Sequence, residues 1–165
     1  MKNFYIFLDI DGVLYDWDFI IKQTDAKKIK RGGLIETFKP ESIEALNYLI
    51  EQLGKRYNVQ LVISSTWRLD LQYCEKVLKE NGLRFDKAIE RTPIYEPKLR
   101  GNQILDYLVD KENYKFVIID DEMFNFKEFF TKDKIIKTEM LNGALSIKHI
   151  KKFLNNLNKN EDLIN

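Results

Sequence analysis

Near-continuous apolar runs of strand length recur along the chain: Phe4 to Asp9, then Val59-Gln60-Leu61-Val62-Ile63, then Phe116-Val117-Ile118-Ile119. Runs that do not alternate apolar with polar are those a sheet buries on both faces, and their β-branched residues favour strand over helix. Between them the period becomes helical. Pro40 to Leu53 carries Ile43, Leu46, Leu49, Ile50 and Leu53 on one stripe, with Pro40 suited to the first turn and Gly54 to the stop. Arg68 to Asn81, ended by Gly82, reads as a second helix, and Asn102 to Val109 as a third with Ile104, Leu105, Leu108 and Val109 on one face. Ser146 to Leu157 repeats the pattern with Ile147, Ile150, Phe153, Leu154 and Leu157. Weaker strand signals lie near Lys87 to Glu90 and Lys134 to Lys137. Buried strands alternating with amphipathic helices predict an α/β fold, a three-layer α/β/α Rossmann-like parallel sheet.

Size and composition narrow this picture without changing it. A chain of 165 residues that is 44% hydrophobic can bury roughly 70% of its unfolded surface, so it needs no disulfide or metal staple. A single domain over residues 1–165 is expected, with about residues 15–39 as a flap and residues 158–165 as a flexible tail. Lys+Arg 27 against Asp+Glu 26 leaves a net charge of +1, which gives no global pull toward nucleic acid or anionic lipid. Any preference for a polyanion must be local. Cys74 is the only cysteine, which excludes a disulfide framework or a zinc ribbon and fits a reducing compartment. The apolar run near Met1 is too short for a signal-peptide core, and no window approaches the roughly 18 apolar residues of a membrane span. The expectation is a cytoplasmic protein with no membrane partner.

Ligands of parallel α/β sheets bind outside the carboxyl ends of the strands, and polar clusters stand there. Asp9 and Asp11 follow the first strand, two positions apart, with Gly12 letting the backbone bend sharply. Crowded carboxylates repel unless a cation sits between them. A calcium-loop reading fails, because Ile20 stands where the bidentate glutamate belongs. Asp120 and Asp121 repeat the acid pair at the end of another strand, and hard cations want such oxygen ligands, so a Mg²⁺ site is expected. Ser64 and Ser65 close the second strand, where a hydroxyl and the following N–H groups suit phosphoryl oxygens. Lys98 and Arg100 precede the helix opening at Gly101-Asn102, and either could bring positive charge to a phosphate.

The order Asp-x-Asp-Gly-Val, strand-Ser, Arg-Gly-x-x-Ile and strand-Asp-Asp resembles the four signature motifs of the haloacid dehalogenase-like (HAD) phosphatases, from Phe4 to about Lys148. More narrowly, Ile63-Ser64-Ser65-Thr66-Trp67-Arg68, Arg100-Gly101-Asn102-Gln103-Ile104, and Thr138 followed by Gly143-Ala144-Leu145-Ser146 resemble the HAD domain of Swiss army knife RNA-repair proteins. The resemblance implies a Mg²⁺-dependent phosphomonoester hydrolase. Asp9 would be the nucleophile that forms an aspartyl-phosphate, and Asp11 the group that protonates the leaving oxygen and then takes a proton from water. Mg²⁺ would be held by Asp9, the backbone carbonyl of Asp11 and Asp121, with Asp120 as ligand or water-holder. Ser64, or Ser65 if the strand runs one residue longer, would hold the phosphate with a basic residue. Register points to Arg100, and residue type to Lys98.

Family members usually carry a cap domain, and the intervals between these motifs are too short for a large one. An open site cannot enclose a small metabolite, so RNA or DNA ends or another phosphorylated macromolecule are the expected substrates. In the flap, the basic loop Lys27 to Gly33 could touch a phosphate backbone, and one of Tyr15, Trp17 and Phe19 could stack on a base, although flap packing explains them more simply. Trp67 and Arg68 stand equally between rim contact and helix-start packing. His149, Cys74 and Met123 carry no expected chemistry. No Gly-rich Walker loop is present, so a polynucleotide kinase half is not encoded in this chain. Two other readings remain open: a 5′(3′)-deoxyribonucleotidase-like enzyme, on the similarity of Asp9 to Trp17 to that opening motif, and a non-catalytic HAD-like binding module.

Overall fold

The computed structural model describes residues 1–23, 36–94 and 99–162. Five parallel strands form one sheet in the order β3-β2-β1-β4-β5: β1 (Asn3–Leu8), β2 (Asn58–Ile63), β3 (Glu90–Arg91), β4 (Tyr114–Asp120) and β5 (Ile135–Lys137). The helices are α1 (Trp17–Gln23), α2 (Pro40–Gly54), α3 (Leu71–Glu80), α4 (Arg100–Leu108), α5 (Phe126–Phe129) and α6 (Ile147–Asp162). This is the expected three-layer α/β arrangement.

The unbroken apolar runs form central strands because both faces are covered. On one face Phe4, Ile6 and Leu8 of β1 join a core with Leu46 and Leu49 of α2, Cys74 and Leu78 of α3, and Ile150 and Phe153 of α6. On the other, Tyr5 and Phe7 pack with Val62, Ile118, Ile104 and Leu108 of α4, and Phe126 of α5. Burying each such side chain contributes about 1.5–3 kcal/mol. Strand order runs outward from β1 to β3 and then returns to β4 on the other side of β1. The carboxyl ends of β1 and β4 therefore flank the point where the winding reverses, the place where such sheets open a crevice.

The helix expected from Arg68 to Asn81 begins differently. Residues Thr66–Asp70 form a 3-10 helix whose N-cap is Ser65, and only at Leu71 does an α-helix start, capped by Asp70, which accepts the Tyr73 N–H at 3.1 Å. The tighter turn bends the chain so that the Arg68 guanidinium folds back onto the Ser64 and Ser65 carbonyls, at 3.3 and 2.9 Å. A continuous helix from Arg68 would lose the Asp70 cap. The third helix begins at Arg100, so Arg100 is its first residue rather than a residue preceding it. The weaker strand near Lys87 to Glu90 is the short Glu90–Arg91 pairing with β2. Part of the flap is helical, as α1, and the basic loop Lys27 to Gly33 lies outside the described residues. Among the described residues no packed helical cap covers the sheet edge, and no helix is long and apolar enough to cross a membrane.

Candidate active site

Strand register builds the site. Leu8 pairs with Ile63 on one side and Ile119 on the other, and Ile63 pairs with Arg91. The next residues, Thr92, Ser64, Asp9 and Asp120, therefore form one rank across the carboxyl edge of four strands. Backbone bonds hold the rank: Thr92 N–H to Ile63 O, Ser64 N–H to Leu8 O and Asp9 N–H to Ile119 O, each 3.0 Å. Because side chains alternate along a strand, this rank shares the face of Phe7, Val62 and Ile118, the face covered by α4.

Arg100, at the start of α4, meets the rank there. Its Nη1 lies 2.9 Å from Asp9 Oδ2 and 2.6 Å from Asp120 Oδ2. Asp9, Asp120 and Asp121 each offer an oxygen within 4.8 Å of the others, a grouping that could hold a metal ion. Three carboxylates thus crowd together with one guanidinium, which pairs with two of them. Burial, then the Asp9 charge, pushes Asp120 well above the ordinary carboxylate range despite Arg100, and the same two causes raise Asp121 to about 6. Burial opposes the charge on Arg100, yet Asp9 and Asp120 outweigh it and hold the guanidinium above its usual value. Asp9 Oδ1 and Ser64 Oγ are buried without a hydrogen-bond partner, and buried polar atoms of this kind call for an explanation.

The Asp9-Ile10-Asp11-Gly12 turn closes against the second acid pair. Gly12 adopts φ +71°, and a Cβ there would overlap the Asp121 carboxyl. Asp11 points elsewhere: its Oδ1 accepts the Tyr15 hydroxyl, leaving its carboxylate outside the three-acid group. Burial and then that bond to Asp11 raise the Tyr15 phenol, so it stays a donor. The Asp11 side chain is therefore not one of the clustered carboxylates, while its backbone carbonyl sits in the same turn.

The structure brings Asp9, Asp120, Asp121, Ser64 and Arg100 together. Lys98 lies outside the described residues. Ser65 is used locally, its Oγ accepting the Trp67 N–H at 3.5 Å. Trp67 and Arg68 are both buried, which places them in packing rather than at a rim. Tyr15 stacks on Phe38 and Trp67 on Tyr73, while Phe38 meets Trp67 edge to face, with ring centroids 5.8 to 6.2 Å apart. Tyr15 is buried in that stack, Phe19 is half-buried and Trp17 is exposed.

Other contributors carried only faint sequence signals. Arg68 Nη2 donates to Gln103 Oε1 at 2.9 Å, tying the Ser64-Ser65 turn to α4. Asn125 Oδ1 accepts the Gly101 N–H at 3.0 Å and seats the start of α4. Phe124, at φ +35°, lays its half-exposed ring 4.4 Å from the Arg100 guanidinium. A bulky residue with positive φ is strained and persists only where its surroundings hold it.

No curated protein and no solved structure matches the chain. A family model described as the HAD domain in Swiss Army Knife RNA repair proteins matches residues 5–146, a span that contains all four polar clusters at the sheet edge. The chain belongs to that family.

Proposed function

We propose that the protein is a Mg²⁺-dependent phosphomonoester hydrolase that works through an aspartyl-phosphate on Asp9 and acts on nucleic-acid ends. The observation that carries this reading is Asp9 itself. Its Oδ2 is held by Arg100, while Oδ1 is buried, unpartnered and ranked beside the equally unpartnered Ser64 hydroxyl. An oxygen kept from water and hydrogen bonds is poised to attack, and a neighbouring hydroxyl and guanidinium suit the charge on equatorial phosphoryl oxygens.

The donor set fits a hard divalent cation: all-oxygen, crowded and short of positive charge. Asp9, Asp121, Asp120 and the Asp11 carbonyl would hold it, and when bound it offsets repulsion between the carboxylate nucleophile and an anionic phosphate. Asp11 would protonate the leaving oxygen and later deprotonate water, with the Tyr15 hydroxyl orienting its carboxyl group. Arg100 shifts from pairing Asp9 and Asp120 to pairing the incoming phosphate. Ser64 donates to a phosphoryl oxygen.

The sheet edge, which no packed helical cap covers among the described residues, and the match to a domain of RNA repair proteins support an end of a nucleic-acid chain as the substrate. Phosphate release is measured from 3′- and 5′-phosphorylated RNA and DNA oligonucleotides, mononucleotides, phosphopeptides and sugar phosphates, with Mg²⁺ or EDTA. Metal-dependent turnover of oligonucleotide ends that Asp9→Asn abolishes is expected. A preference for mononucleotides replaces this reading with a nucleotidase, and Mg²⁺ binding without any turnover contradicts the hydrolase.

A further inference from the structure

Two adjoining cavities flank the exposed edge strand β5. One, of about 400 Å³, is lined by Lys132, Asp133, Lys137, His149, Lys152 and Phe153 among others. The second, of about 360 Å³, is lined by Met123, Lys127, Lys132, Ile135 and Lys137. They share Lys132, Ile135 and Lys137, so together they make one groove over both sides of the strand edge. Its charge is one-sided. Lys127, Lys132 and Lys152 have no carboxylate partner among the described residues, whereas the one acid of the lining, Asp133, is already paired with Lys134 at 3.2 Å. Apolar side chains line both cavities, Ile135, Ile136 and Phe153 in one and Met123 and Ile135 in the other.

The groove also reaches the acid cluster. Lys137 Nζ donates to the Asp121 carbonyl at 2.9 Å and to the Thr138 carbonyl at 3.1 Å, and Lys137 pairs in register with Asp120. Met123, in the groove, adjoins Phe124, whose ring lies over Arg100. At the far side His149 Nδ1 accepts the Ser146 N–H at 3.1 Å, which puts the ring proton on Nε2. Burial, and then the charges of Lys148 and Lys152, lower the His149 pKa against the opposing charge of Glu139.

From this continuity and charge we infer that the β5 groove binds the phosphodiester backbone of a single-stranded nucleic acid and presents its end to the Asp9 site. The inference rests on the proposed function for what happens at that end, but not for the binding. Lysines spaced along a partly apolar channel suit a strand whose phosphates meet ammonium groups and whose sugars and bases lie on the apolar side chains. The simpler role of lysines at a sheet edge is to prevent edge-to-edge pairing, and it predicts a different outcome.

Binding of a dye-labelled single-stranded oligonucleotide with hydroxyl ends, which cannot be turned over, is followed by anisotropy across a salt series. The full chain is compared with Lys132→Gln/Lys152→Gln and with a control, Lys76→Gln/Lys79→Gln on α3. The groove variant should bind about tenfold more weakly, and its log–log salt slope should shrink by about 1.4, since each lost single-strand phosphate contact removes about 0.7. The control should change neither. Equal loss in the control, an unchanged groove variant, tighter binding of a duplex, or equal competition by an acidic peptide of matched charge each overturns the inference. So does self-association of the groove variant with unchanged binding, the signature of edge protection. Binding lost as expected while no ester is turned over keeps the groove and removes the hydrolase. Turnover of oligonucleotide ends with an unchanged KM in the groove variant does the reverse.

Discussion

At Gly12 two constraints meet on one residue. Its φ of +71° is a region that L side chains rarely adopt, and a Cβ would overlap the Asp121 carboxyl. Gly12→Ala should cost about 1–3 kcal/mol of stability and also lower phosphate release, because the second acid pair is displaced. Gly54→Ala is the matching control. It is helical with nothing within 4 Å of the new Cβ, so urea unfolding should show a neutral effect or a gain of about 0.5 kcal/mol. Asp9, Ser64, Asp120 and Asp121 were legible in the sequence because each ends an apolar strand, and strand ends are where a parallel sheet puts its chemistry. The partner of Asp11 was not, since Tyr15 reads equally as a packing aromatic until the turn brings the two together.

Two buried polar side chains lock elements to one another around the site. Arg68 bridges the Ser64-Ser65 turn to Gln103 of α4, so it relates the hydroxyl of one strand end to the guanidinium at the start of a helix. Arg68→Met keeps the volume and removes the three hydrogen bonds that the guanidinium donates to the Ser64 and Ser65 carbonyls and to Gln103 Oε1. A loss of roughly 3 kcal/mol in a urea titration is expected. Asp16 does the same for the flap, accepting N–H groups of Phe19 at 2.9 Å and Ala144 at 3.2 Å and pairing with Lys39 at 3.2 Å. Burial raises the Asp16 carboxyl, but those three partners outweigh it and hold the group below its ordinary value. A depressed native pKa contributes stability above the unfolded value of about 3.9 and loses it as pH falls through the native value. Asp16→Asn should therefore be less stable than wild type at pH 7, by about 2 kcal/mol, with the gap closing below about pH 4. Long periodic helices were readable because a stripe of apolar residues is itself the signal. The seven-residue α1 and the four-residue α5 are too short to show one, although Asp16, three residues before Phe19, is a cap signal. The 3-10 start at Thr66 escaped because tertiary bonds of Arg68 set it.

At the scale of the whole molecule, the fold returns to β4 beside β1 and so concentrates negative charge where the winding reverses. Three acids cluster there and one arginine pairs with two of them, and a cation that binds only the folded chain stabilises it by about 2.7 kcal/mol at a hundred times its Kd. Thermal unfolding should therefore shift upward with Mg²⁺ and fall back with EDTA, and Asp121→Asn should lose the shift. An equal shift in that variant would place the cation elsewhere. The basic groove was invisible in the linear sequence because its lysines come from α5, the 3-10 turn before β5, β5 itself and α6, and only folding aligns them.

The measurement that bears most directly on the central claim is an acid quench during turnover of a phosphorylated oligonucleotide with Mg²⁺, followed by mass mapping of the chain. The account predicts one phosphoryl group on the peptide containing Asp9, lost on treatment with hydroxylamine as an acyl phosphate should be, and absent in Asp9→Asn. Steady phosphate release with no phosphoryl group on Asp9, or release that survives Asp9→Asn, would contradict it.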